Sequence, residues 1–518
     1  MYLLLRFLCG IGLIILPLPA FAQGLDDQLN EAFMPVAVAW ENFIFTPISL
    51  GPLQIPIVLI ILLTGATFFT FYFRFANVRH LPTAVRVVRG HFDELESSEG
   101  EPHQGEVNHF QALATAVSGT VGLGNIAMVA VAISIGGPGA TFWMILAGLL
   151  GMSTKLVECT LGVKYRDIGE DGRVYGGPMY YLSSGISERG FPRLGKALAV
   201  IFALLCVGAS FGGGNAFQSN QAAAQIIAGF GIEGNAAGTI IGLLIAIFAG
   251  IVIIGGIRRI AKVTEKVVPF MAAFYVAAAL IILIANWSLV DDALGLIFSE
   301  AFNPRATIVG GFVGVMIQGF RRAAFSNEAG AGSAAIAHSA VDTKHPASEG
   351  LVALLEPLID TVIICTMTAL VIIIFNLQGA FIYGEVSNNQ VVMTATGEVM
   401  GGVNLTSAAF EYSLPGFSYV LVIAVTLFAF STILSWSYYG LQSWTYLFGR
   451  SPKSEVCYKV IFLLFTVLGA AVTLDAVIKF SDAMILALVF PNMIGLLFLY
   501  PVVKKELDKY LKLLKKSL

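Results

Sequence analysis

Charge is scarce in this chain: Asp, Glu, Lys and Arg supply 12% of its 518 residues, against 57% hydrophobic. Soluble domains carry about 25% charged residues, so a water-soluble globule is excluded and a polytopic membrane protein is expected. Cysteine is scarce too. Cys9 falls in the first apolar stretch, and Cys159, Cys206, Cys365 and Cys457 are scattered without metal-ligand spacing, so neither a disulfide framework nor a thiolate metal site is implied. No G-x-x-x-x-G-K-[ST] phosphate loop occurs, which argues against energy from bound ATP, and a net charge of −3 gives no sign of a nucleic-acid partner. No resident cofactor is expected.

What is present is hydrophobic length. Residues 1–22 place a short apolar core after Arg6 and end in Ala20-Phe21-Ala22, the pattern of a cleavable signal peptide, with an uncleaved first helix as the alternative. Windows of about 20 apolar residues then place spans near 54–74, 108–133, 137–163, 196–228, 237–257, 266–286, 306–335, 348–376, 414–446, 455–475 and 482–502. Basic residues gather in alternate connections, around Arg74–Arg89, Lys164–Arg193, Arg258–Lys266, Arg450–Lys453 and the tail from Lys504. By the positive-inside rule these are cytoplasmic. The opposite connections, 23–53 and 377–413, hold acids and no base. The expectation is a bacterial inner-membrane protein with its mature N-terminus outside and its C-terminus cytoplasmic. The long connection 377–413 has the turn residues and β-branched clusters of a hairpin or helix over the outer mouth.

Two spans contain residues that weaken a helix. The second carries "SGTVGLGN", Ser118 to Asn125, and the seventh "FSNEAGAGS", Phe325 to Ser333. The seventh span comes five after the second, so they cross in opposite directions, as two five-helix repeats related by an in-plane axis require. The chain then divides into a signal (1–22), an external segment (23–53), an extra helix and loop (54–107), repeats at 108–290 and 291–503, and a basic tail (504–518). Unwinding a helix in mid-membrane frees N–H groups that favour a carboxylate and carbonyls that favour Na⁺. The competing reading is that the glycines only allow helices to pack closely.

The run "HFQALATAVSGTVGLGNIAMVAVAISIGGPGATFW", with "GMSTKLVECTLGVKYR", "GGPMYYL", "FSNEAGAGSA" and "FSTILSWSYYG", closely resembles the alanine or glycine:cation symporter family over nearly the whole chain. The resemblance implies an all-α, leucine-transporter-type fold and uptake of alanine, glycine or similar small amino acids with Na⁺, or in some members H⁺. "VGLGN", Val121 to Asn125, also looks like the unwound first helix of sodium-coupled neurotransmitter transporters. Carried over, this puts the substrate carboxylate on the Leu123 and Gly124 amides. One Na⁺ lies near the Thr120 carbonyl and the Asn125 side chain, and a second uses the Ser118 and Val121 carbonyls. Ser431, Thr432 and the Phe428 carbonyl complete that second site. Oxygen ligands suit such a hard cation, whereas a Ser-Thr pair in a membrane helix also commonly bonds back to its own helix.

Asn215 and Gln218, three residues apart on one helix face, are assigned to substrate recognition or its support, with an interhelical hydrogen-bond pair as the alternative. Trp436, one turn beyond Thr432, is a candidate pocket wall or a plain helix contact. Gln318 and Gly319, before the second break, are placed on the same cavity. Arg321, Arg322 and Glu328 flank that break, with Glu356 and Asp360 on the next helix. Intramembrane charges are paired or functional, so an inner gate is expected in which an arginine pairs with Asp360 or Glu356, a static brace being the alternative. All six histidines, His80, His91, His103, His109, His338 and His345, fall at the basic edge. That favours Na⁺ as the coupling ion, with carboxylates left as proton carriers. "GASFG", Gly208 to Gly212, matches G-x-S-x-G but lies inside an apolar helix, against an enzyme. A cation channel is the remaining rival.

Overall fold

The computed structural model describes residues 25–50, 53–96, 104–170, 172–305 and 307–517. The signal-peptide reading of residues 1–22 lies outside them. The chain opens on helix α1 (Leu25–Ile44) and a hairpin, β1 (Pro47–Leu50) antiparallel to β2 (Leu53–Pro56), then enters α2 (Ile57–Tyr72). The first repeat follows as α3 (His109–Thr120), α4 (Val129–Gly136), α5 (Gly139–Lys164), α6 (Pro192–Phe211) running into α7 (Phe217–Phe230), α8 (Ala237–Ile253) and α9 (Gly256–Ala285). An unforeseen helix, α10 (Trp287–Phe302), links it to α11 (Gly311–Asn327), the short α12 (Ala335–His338) and α13 (Pro346–Val352), which continues to α14 (Thr366–Asn376). The chain closes with α15 (Val403–Ser413), α16 (Phe417–Phe448), α17 (Pro452–Ala471), α18 (Leu474–Ala487) and α19 (Val489–Ser517).

Most of the described residues in each sequence-derived span are helical. Among the described residues seven helices are long and apolar enough to cross a membrane, or eight when α3 and α4, bent 48° apart, count as one. α8 shows what surrounds the bundle. Ile240, Leu243, Leu244, Ile247, Phe248 and Ile251 recur at helical spacing and are all exposed, an apolar face of the kind that a membrane-spanning helix turns to lipid. Between 377 and 413 the expected turn-linked elements are present, a hairpin of Gln390–Val392 with Val399–Gly401 followed by α15.

The two interruptions have different causes. α3 begins at a reciprocal cap: the Asn108 side chain accepts from the Gln111 N–H and the Gln111 side chain from the Asn108 N–H. It ends at Thr120, and the chain resumes as a π-helical turn, Gly124–Met128, before α4. None of Gly119, Gly122 and Gly124 adopts positive φ, so their use is close approach. A Cβ on Gly119 would lie 2.9 Å from the Tyr439 hydroxyl, and one on Gly122 2.3 Å from that of Thr432. The second interruption is conformational. Glu328 (φ +55°), Gly330 (+95°) and Gly332 (+83°) turn the chain through left-handed backbone that glycine takes without strain.

Candidate functional site: the two broken helices

At the first break the released backbone donors meet side-chain oxygens. The Gly122 N–H reaches Asn125 Oδ1 at 2.9 Å, and the Leu123 N–H reaches Gln218 Oε1 at 3.0 Å. Every residue from Ala112 to Ser134 is buried, so both ends of the break are sealed from solvent. The Leu123 N–H, held in this dry setting by a neutral amide oxygen, is a donor that a carboxylate could take over.

A seam of hydroxyls and carbonyls joins this break to α16. Ser118 Oγ donates to the Ser431 carbonyl at 2.7 Å, Thr432 Oγ1 to the Ser118 carbonyl at 2.9 Å, and Ser435 Oγ to the Thr115 carbonyl at 2.9 Å. Ser431 Oγ donates to the Phe428 carbonyl at 3.0 Å. Ser118, Phe428, Ser431 and Thr432 are thus brought together, with Val121 buried in the adjoining break. The Thr120 carbonyl accepts from the Gly122 N–H at 2.9 Å, in the same turn as Asn125.

The first break and the glycine run between α6 and α7 touch the last turn of α11, which leads into the second break. A Cβ on Gly124 would stand 3.4 Å from Ser326 Cα, and one on Gly213 3.3 Å from the Phe325 ring. Asn125 Nδ2 donates to Asp360 Oδ1 at 2.6 Å and to the Asp360 carbonyl at 3.0 Å, while Ser326 Oγ donates to the same carboxylate at 3.1 Å. Trp436 lies over Gly214 and donates from Nε1 to Glu328 Oε1 at 3.0 Å. One indole therefore ties the second break to the helix that carries Gln218.

The model of the sodium:alanine symporter family matches residues 43–518. The chain belongs to the sodium:alanine symporter family. The sodium/alanine symporter AgcS of Methanococcus maripaludis is 39% identical over 452 residues, covering 87% of this chain and 93% of that protein. A putative sodium/proton-dependent alanine carrier protein, YrbD, of Bacillus subtilis is 35% identical over 455 residues, covering 86% of this chain and 87% of that one. Among solved structures, MhsT in complex with L-phenylalanine superposes with a TM-score of 0.51 at 16% identity, covering 78% of this chain and 99% of that chain, a likeness of fold. The fold is of the leucine-transporter type, and this family member is a secondary amino-acid transporter of the membrane, not an enzyme. Consistently, Ser210 of the G-x-S-x-G match sits in α6, where its hydroxyl donates to the Val207 carbonyl and meets the Tyr458 hydroxyl at 3.0 Å.

Several sequence-derived placements in this symporter-family chain need correction. Asn215 is turned away from the break: its amide donates to the Phe462 carbonyl at 2.6 Å and accepts from Thr466 at 2.8 Å, fastening α17. Gly319 packs on Ala140 and Trp143 of α5, and Gln318 lies against Gly136. The break begins at Glu328, and ten residues of helix carry Gln318 about 15 Å away along the axis. The arginines do not pair with Asp360 or Glu356. Arg322 binds Asp482 of α18 at 2.5 Å, and Arg321 spans Asp482 at 2.8 Å and Glu41 of α1 at 2.6 Å, with Phe45 beneath its guanidinium. This cluster precedes the break, on the side of the acidic connections. Glu356 pairs with Lys155 at 2.8 Å. Unforeseen contributors are Phe325, Ser326, Asp482 and Thr406, whose hydroxyl reaches the Ile126 carbonyl at 2.9 Å from helix α15.

Proposed function

We propose that this chain imports alanine, glycine or a similarly small amino acid together with Na⁺, by alternating access, across a bacterial inner membrane with its basic connections in the cytoplasm. The observation that carries the reading is the Leu123 amide held by Gln218 Oε1 inside a sealed break. The substrate carboxylate displaces that oxygen and binds the Leu123 and Gly124 amides. One Na⁺ takes the Thr120 carbonyl and Asn125 Oδ1. A second takes the Ser118, Val121 and Phe428 carbonyls with the Ser431 and Thr432 hydroxyls, an all-oxygen set suited to a hard monovalent ion.

Trp436 and Phe325 limit the space for a side chain. An apolar wall of this kind discriminates by about 1–3 kcal/mol per methylene, so glycine, alanine and serine compete in graded fashion. The burial of the whole first break supports a carrier over a pore, because conduction needs an open path through it. The deciding experiment is radiolabelled alanine uptake into proteoliposomes under imposed Na⁺ or H⁺ gradients. The parent is expected to show saturable, Na⁺-driven uptake and counterflow, and Asn125→Ala and Thr432→Ala to lose it. If both variants transport like the parent, the assigned ion sites are wrong.

A further inference from the structure

Below the second break, on the side of the basic connections, runs a file of buried ionisable groups for which the symport scheme above has no use. It starts at a cavity of about 650 Å³ whose wall includes Glu96, His109 and Arg258. Glu96 Oε2 meets His109 Nε2 at 2.7 Å, and His109 Nδ1 makes a short contact to Glu349 Oε2. Glu349 Oε1 meets His338 Nδ1 at 2.5 Å. His338 Nε2 faces Glu356 Oε2 at 3.5 Å, too far for a hydrogen bond, and neither atom has another partner. Glu356 Oε1 then accepts from Lys155 at 2.8 Å.

Lys155 stands beneath the break. Its charge acts on Glu158 and Glu328 as well as on Glu356. Glu158 Oε1 accepts from the Gly330 N–H at 2.9 Å, while Glu158 Oε2 is buried without a partner. Five carboxylates, Glu96, Glu158, Glu328, Glu349 and Glu356, therefore share three possible cations, His109, His338 and Lys155, all of them buried. Of the neighbours, Arg166 donates to the Ser339, Val341 and Thr343 carbonyls and is faced by Asp342. Cys159, Tyr181 and Tyr439 lie within electrostatic reach of the carboxylates, and Tyr510 donates to Glu96. Even fully protonated bases leave this cluster negative. Burying uncompensated charge is costly enough that the carboxylates must hold exchangeable protons.

We infer that Glu96, His109, Glu349, His338 and Glu356 form a proton relay from the cytoplasmic cavity to Lys155, so that a proton-linked step accompanies Na⁺-coupled transport. Protonated Glu96 gives its proton to His109 Nε2, and His109 releases the one on Nδ1 to Glu349. Glu349 takes that proton on Oε2 and gives up one held on Oε1, in its 2.5 Å contact, to His338 Nδ1; His338 then releases its Nε2 proton to Glu356 Oε2 once the two side chains close the 3.5 Å gap to hydrogen-bond distance. One proton enters and one arrives; each ring ends in its other tautomer, and the reverse passage restores it. Neutral Glu356 no longer holds Lys155, whose ammonium is freed for Glu158 and Glu328 at the break. The step resets the empty carrier after substrate leaves.

This rests on the symport reading, so the test has one arm that needs no substrate. In the full-length protein, infrared difference spectra across a pH jump should show a buried carboxyl band that disappears in Glu356→Gln. Its protonation should slow by about tenfold or more in His338→Gln. In proteoliposomes, net Na⁺-driven alanine uptake should vary with internal pH in the parent and lose that dependence in His338→Gln. Alanine exchange, which does not require the empty carrier to return, should stay within about twofold and so report a folded protein. If His338→Gln does not fold, Glu96→Gln at the mouth carries the same expectations. Parental band kinetics and a parental pH profile in the folded variant overturn the relay, as does the absence of any titrating carboxyl band. A parent that neither binds nor exchanges alanine defeats the symport reading instead, and the infrared arm then decides the relay alone.

Discussion

Gln218 Oε1 accepts the Leu123 amide at 3.0 Å while Gln218 Nε2 donates to the Gly213 carbonyl at 2.9 Å. One side chain therefore closes the broken helix and steadies the glycine run of α6–α7. If a substrate carboxylate takes over the Leu123 N–H, turning the Gln218 amide would let its NH₂ donate to the newcomer. A hydrogen bond to a charged group is worth about 1.5–3 kcal/mol, so Gln218→Ala should weaken alanine binding about tenfold or more. Gln218→Glu should do worse, because it adds a like charge beside the incoming carboxylate. Equilibrium binding of labelled alanine checks the order; a glutamate variant that binds better than the alanine variant contradicts the assignment.

Gly122 and Gly124 make a matched pair. A Cβ at Gly122 meets Thr432 Oγ1 at 2.3 Å and Gln218 Oε1 at 3.0 Å, whereas one at Gly124 meets nothing closer than 3.4 Å. Overpacking costs about 1–3 kcal/mol, here at the joint between break and hydroxyl seam. Gly122→Ala should abolish Na⁺-driven uptake, and Gly124→Ala should keep at least a substantial fraction of it. Comparable uptake by the two would show that the Gly122–Thr432 contact is not part of the ion site.

How far these residues were legible in the sequence depended on whether their partners lie close along the chain. The breaks and the spans follow from local strings, because small residues and Asn inside an apolar run are informative on their own, whereas the Ser118–Thr432 neighbourhood joins residues 314 apart and came only through the family resemblance. Asn215 was misplaced for a geometric reason. Residues Gly212–Ala216 form a π-helical turn, which rotates the downstream helix relative to the 3.6-residue repeat and sends Asn215 and Gln218 to different neighbours. Asp482 could not be matched to Arg322 because 160 residues separate them and Asp482 falls at the edge of the span placed at 482–502. His109 and His338 sit at the basic edge in sequence, yet the fold buries both beside carboxylates.

The arginine cluster allows a graded test of stability. Arg322 and Asp482 are both buried, so Asp482→Asn strands a guanidinium and should cost about 3–5 kcal/mol. Glu41, on α1, is less buried, and pairs of that kind are worth about 0–1 kcal/mol. Thermal unfolding in detergent should show a large drop for Asp482→Asn and a small one for Glu41→Gln. Equal drops would mean that α1 braces the cluster more strongly than its exposure implies.

Trp436 separates two roles that one residue holds at once. Its Nε1 ties down Glu328 at 3.0 Å, and its ring fills the space above Gly214, where a Cβ would come within 2.1 Å of the indole. Trp436→Phe removes the hydrogen bond but keeps most of the wall, so alanine should still be preferred over larger substrates while uptake slows, since a buried carboxylate that loses a donor costs about 1–3 kcal/mol. Trp436→Ala removes both. The space vacated by an indole exceeds several methylenes, each worth about 1–3 kcal/mol of discrimination, so competition by valine, leucine and methionine against labelled alanine should appear only in this variant. Inhibition constants for a series of amino acids of increasing size check this directly. If the series ranks the same in Trp436→Ala as in the parent, selectivity is set elsewhere, and Phe325, which faces Gly213 across the same gap, becomes the residue to vary.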